Sequence, residues 1–139
     1  MELVHHGMRI VLDDDWWAEA RMFGFRPRAL SYNTDDTYRD RRVYQVAIKD
    51  IAPVRRAPGI PIFNDSDDTG LSARERVVAI LRGFRNSSKI PPVEVVSAEQ
   101  ASSHLFKLTH GVHRLYCSLA AGFTHVPAVI GLDINALDG

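Results

Sequence analysis

Val77, Ile80, Leu81 and Phe84 recur at the spacing of one helix face. Ser72-Ala73-Arg74-Glu75 in front of them is a capping box, which predicts a helix over 73–85, closed by Asn86-Ser87-Ser88. Elsewhere the apolar runs are shorter and read as strands. Val43-Tyr44-Gln45-Val46-Ala47-Ile48 is one, and Pro53 ends the turn behind it. Pro91-Pro92 force the backbone to start extended, and Val93-Glu94-Val95-Val96 continues it as a strand. After a polar connection at 97–103, Leu105-Phe106-Lys107-Leu108 predicts a strand antiparallel to its predecessor, broken by Gly111. A second helix is predicted over 112–121, with Leu115 and Leu119 inward and Gly122 at its end. Val126-Pro127-Ala128-Val129-Ile130 predicts the last strand.

The first third of the chain is patterned less clearly. Residues 8–12 suggest an edge strand, and His5-His6 before it a frayed start. Asp13-Asp14-Asp15 favour the positive end of a short helix through Trp16-Trp17, stopped by Gly24. The tandem Trp either packs one ring on the core and half-covers it with the other, or forms a partner-binding surface. Residues 31–42 are polar and read as a linker. The expected organisation is an N-terminal appendage and linker at 1–42 and a main domain at 43–139. Residues 57–70, rich in Pro, Gly and Asp, form a long loop of the kind that is often functional or mobile. The fold class is α+β, a small mixed sheet with the 73–85 and 112–121 helices packed on it.

A chain of 139 residues suits one core. No apolar run approaches the roughly 20 residues that span a bilayer, and the start lacks a secretory pattern. The expectation is a cytoplasmic protein with no membrane partner. One cysteine, Cys117, leaves no internal disulfide, and it reads as buried and inert. The six histidines make no sharp metal motif. Net charge is zero, but residues 39–114 carry thirteen Lys and Arg against eight Asp and Glu, a balance of +5. Arg outnumbers Lys fourteen to three, which fits either a coding bias or anion recognition by the guanidinium fork.

The chemistry concentrates in one unit: a strand, Thr109-His110-Gly111, then a helix. Glycine at that turn lets backbone approach a ligand closely. The helix start offers unpaired N–H groups and a positive dipole end, a ready site for phosphate. Arg114 can add a charge-assisted bond, His113 can donate from its ring, and Thr109 can supply a hydroxyl. Solvated helix ends also carry such residues, so the pattern alone leaves both readings open.

The stretch 91–131 resembles the ParB/sulfiredoxin superfamily. The matching features, in order, are Pro-Pro-Val-Glu-Val-Val at 91–96, Phe106-Lys107-Leu108, Gly111-Val112-His113-Arg114, the small-residue helix through Cys117 to Gly122, and Val126-Pro127-Ala128-Val129-Ile130. Residues 46–53 resemble the family's opening strand and proline. The resemblance implies a ParB/sulfiredoxin-like fold with nucleotide phosphates at Gly111, His113 and Arg114. It also implies ATP or CTP as ligand, with Mg2+ carried on the nucleotide. Lys49 or Arg55-Arg56 would approach from the facing side, an assignment that rests on charge and position.

Departures from the family narrow this. Sulfiredoxins carry their attacking Cys where this chain has Val112, and an Arg where it has Ala52, so that activity is not expected. Partition-type ParB proteins have two arginines after the glycine, and here the first is His113. The serine-phosphorylating relatives carry a glutamate soon after the first-loop proline, where Val54-Arg55-Arg56 stand here. Three functions stay open: a phosphoryl-transfer or nucleotide-hydrolysing enzyme, a non-catalytic nucleotide-responsive or nucleic-acid-binding accessory protein, and an interaction module that kept the fold alone.

Overall fold

The computed structural model describes residues 1–65, 70–99 and 102–131. The rest of the 57–70 loop, part of the 97–103 connection and the end of the 43–139 domain lie outside the described residues. The fold is α+β. Its centre is a four-stranded mixed sheet of β5 (Tyr44–Ala47), β8 (His125–Gly131), β6 (Val93–Ser97) and β7 (Phe106–His110), in that spatial order. β5 and β8 are antiparallel, β8 and β6 parallel, and β6 and β7 antiparallel. Residues 51 and 52 reach the far side of β7, where Ile51 bridges Phe106 and the Ala52 amide donates to its carbonyl. The segment that leaves β5 at one edge therefore returns to border the other.

Helix α3 (Val112–Ala121) packs on β6 and β8, α2 (Ala73–Arg85) packs on α3, and α1 (Asp14–Glu19) packs on α2. The limits of α2 and α3 are those the periodicity predicts. Ser72 accepts from the Glu75 amide at 3.1 Å and the Glu75 carboxylate reaches back, completing the capping box. Leu115, Tyr116, Cys117 and Ser118 are fully buried on α3. Burial in an apolar setting pushes the Cys117 thiol well above its ordinary pKa, as an inert core cysteine requires. β7 runs two residues past the predicted strand before Gly111 ends it.

The first third of the chain departs most from expectation. β1 (Glu2–His5) pairs antiparallel with β2 (Met8–Val11) across a His6-Gly7 turn with φ of 48° and 80°. His5-His6 is therefore not a frayed start. The His5 ring is buried, its Nε2 donating to the Ile48 carbonyl (3.2 Å) and its Nδ1 accepting from the Tyr116 hydroxyl (2.8 Å). The Tyr116 oxygen in turn accepts from the Val54 amide (2.9 Å). This relay ties hairpin, sheet exit and α3 together. Ile10, Leu12, Ala20, Met22 and Tyr32, all within the 1–42 stretch, lie in the same buried cluster as Val77, Leu81, Leu115 and Val126. The polar 31–42 stretch folds as well. Tyr32 stacks on Phe84 and donates to the Pro91 carbonyl (2.6 Å), and β3 (Thr37–Tyr38) pairs with β4 (Arg41–Arg42). Trp16 and Trp17 are both half-buried against the core. Among the described residues no helix is long and apolar enough to cross a membrane.

Candidate functional site

Gly111 opens α3 in the left-handed region, at φ 103° and ψ 35°. A Cβ there would lie 2.8 Å from Val93 Cγ1 and 3.1 Å from Val93 Cβ, so both the conformation and the space require glycine. The Leu115 amide returns to the Gly111 carbonyl (2.9 Å) as the first helical bond. No side chain caps this end and no acidic residue occupies its first turn. The amides of Val112, His113 and Arg114 thus start a helix whose positive pole has no carboxylate of its own.

The side chains around that end are held in different ways. Arg114 Nη1 donates to the carbonyls of Pro91 (3.1 Å) and Pro92, which fixes the guanidinium against the start of β6. Its Nε and Nη2 make no hydrogen bond among the described residues. His113 is 4% exposed, and its ring lies 5.7 Å from that of Phe63, so the 57–65 part of the long loop covers the first turn of α3. Arg56 holds this loop in shape, donating from Nε and Nη2 to the Ile62 carbonyl. Thr109 is exposed, and its hydroxyl donates to the Glu94 carbonyl across the β6–β7 pair (3.1 Å). The Glu94 carboxylate lies between Arg41 (3.6 Å) and His110 Nδ1 (3.5 Å).

Gly111, His113, Arg114 and Thr109 come together at the junction of β7 and α3. Lys49 does not join them. It is exposed on a single 3-10 turn, Ile48–Asp50, and its carbonyl accepts from His6 Nε2 (2.7 Å). Its amine makes no hydrogen bond or ion pair with residues 109–114 among the described residues. Among those residues no group of three or more His, Cys, Asp or Glu could hold a metal.

The sequence reading missed a concave region. Residues 21–36, the end of α2, part of β5 and Phe123 enclose an open cleft of about 730 Å³. Arg21, Arg26, Arg28 and Arg85 line it, with Phe23 and Tyr32. The one sequence signal was the clustering of three arginines and two phenylalanines between Arg21 and Arg28.

No protein-family model, curated protein or solved structure matches the chain.

Proposed function

We propose that the protein binds the phosphates of a nucleotide, ATP or CTP, at the N-terminus of α3. The observation that carries this reading is the left-handed Gly111 start, closed to any Cβ and uncapped by any side chain. Such a turn suits close approach of a phosphate to backbone amides. Arg114 supports it, because Nη1 is anchored while Nε and Nη2 keep donors for a charge-assisted bond. His113 contributes its backbone amide and, through its ring on Phe63, the placement of the loop beside the site. Mg2+ arrives on the nucleotide. The order of the motifs at 91–131 supports a kinship with ParB/sulfiredoxin-like proteins on this reading. Phosphoryl transfer or nucleotide hydrolysis at this site would draw on the first-turn amides and Arg114 to stabilise charge.

Calorimetric titration with ATP, CTP, GTP and ADP, each with Mg2+, tests this. One nucleotide should bind, and Arg114→Ala should weaken it by about tenfold or more while Arg114→Lys recovers part. Thermal melting of both variants separates lost binding from lost folding, since Nη1 also braces Pro91 and Pro92. A folded wild-type protein that takes none of the four nucleotides rejects the proposal.

A further inference from the structure

The arginines of the cleft are unpartnered among the described residues, although Arg85 also lies in the last turn of α2, where a cation suits the helix's negative pole. Arg21, Arg26, Arg28 and Arg85 are exposed and make no ion pair or side-chain hydrogen bond among the described residues. Among the described residues the carboxylates on the lining are Asp35 and Asp36, and Asp35 is held by Lys89 at 2.6 Å. Four guanidinium groups around one concavity repel each other, and the field they create favours an anion. Phe23 stands among them 81% exposed, whereas Phe25 and Phe123 pack edge to face with ring centroids 6.1 Å apart. Arg21 itself adopts φ 59°, and Gly24 follows at φ 77°, so the chain turns sharply on either side of the Phe23 ring.

An acidic peptide would satisfy the guanidinium groups but leave Phe23 without a partner. A duplex would offer phosphates, but its bases are already stacked on one another. Single-stranded nucleic acid offers both: phosphates for the guanidinium forks and an unstacked base for the ring. We propose that this cleft binds a single-stranded nucleic-acid segment, with Arg21, Arg26, Arg28 and Arg85 on its phosphates and Phe23 stacked on a base. The proposal does not rest on the α3 phosphate site, although Tyr32 on the lining and Arg114 donate to the same Pro91 carbonyl.

The test is fluorescence anisotropy of the whole chain with labelled oligothymidylate and oligouridylate of about ten nucleotides, across a salt series. The wild type should bind at low salt and lose affinity as salt rises. Arg26→Ala combined with Arg28→Ala should flatten the log–log salt slope by about 1.4. Phe23→Ala should weaken binding by about tenfold without changing the slope. All three positions are exposed, and a thermal melt confirms folding. The Phe23→Ala and paired Arg26→Ala, Arg28→Ala variants should match the wild type in nucleotide titrations, so loss of nucleotide binding and loss of strand binding read out separately. A folded wild type that does not bind, or binding that survives both cleft variants, overturns the proposal. So does a polyglutamate peptide that binds as tightly and ignores Phe23→Ala, because the cleft then belongs to an acidic protein.

Discussion

Helices α2 and α3 pack against each other and begin in opposite ways. At α2 the chain closes its own donors: Ser72 and Glu75 exchange bonds, and Asp65 Oδ1 accepts from the Ala73 amide at 2.6 Å. Two carboxylates thus sit on the positive pole of that helix. At α3 a left-handed glycine does the turning, and no side chain returns to the amides. A pole already neutralised repels an incoming anion, and a bare one attracts it. A strong sequence signature of a helix start marks stability, while on the proposed reading a missing cap beside a sterically obligatory glycine leaves amides for a ligand.

The contrast can be broken from either side. The largest effect should come from Gly111→Ala. The new methyl group meets Val93 in a left-handed backbone, which should cost about 3 kcal/mol in urea unfolding. A variant as stable as the wild type would show that the glycine is a convenience and not a requirement.

Next is the relay that holds α3 from its middle. Replacing His5 with Gln should cost about 2 kcal/mol at neutral pH, since the buried Tyr116 hydroxyl and Ile48 carbonyl lose a shaped partner. Burial lowers the His5 pKa below its ordinary value of 6.5, against the opposing pull of the Ile48 carbonyl, and His6 and His104 add repulsion. The unfolded chain then binds the proton more readily than the folded one. The contribution of a neutral His5 is complete above pH 6.5 and declines as pH falls below it toward the folded value. Melting temperatures from neutral to mildly acidic pH should show this slope in the wild type and a shallower one in His5→Gln. Equal slopes would mean that other groups govern it.

The smallest change is Ser72→Ala. Losing one half of the capping box should cost about 1 kcal/mol and leave nucleotide titrations untouched. A change in nucleotide affinity there would dissolve the distinction between the two helix starts.

The helices were legible because their limits are written locally, in apolar spacing and in residues such as Ser72, Glu75, Gly111 and Gly122. The N-terminal hairpin was less so. The inward residue of β1 is a histidine, and His5 holds its buried place only through Tyr116 and Ile48, which sequence distance hides. The His6-Gly7 turn was the available clue, because two successive residues at positive φ suit a tight hairpin. Tyr32 and the β3–β4 hairpin looked like linker because their neighbours are polar, yet the stack on Phe84 holds Tyr32 down, and Arg41 of the hairpin reaches Glu94 on β6. At the α3 site the glycine was readable from its place between strand and helix. The burial of His113 was not, since it depends on Phe63 folding over from a distant loop. The cleft arginines could be counted in the sequence, but only folding arranges them around a concavity.

The parallel contact of Ile51 with Phe106 has a consequence in time. β5 pairs with β8 alone, and the segment that follows it is fastened to β7. The N-terminal hairpin reaches its anchor on Tyr116 across 111 residues of sequence. As the chain leaves the ribosome, the β1–β2 hairpin lacks its anchor and β5 its partner strand until α3 and β8 have also emerged. Assembly is governed by distant contacts that must close large loops, which makes it slow for a domain of this size. Through that interval Ile10, Leu12 and Val46 remain open to solvent and to neighbouring chains.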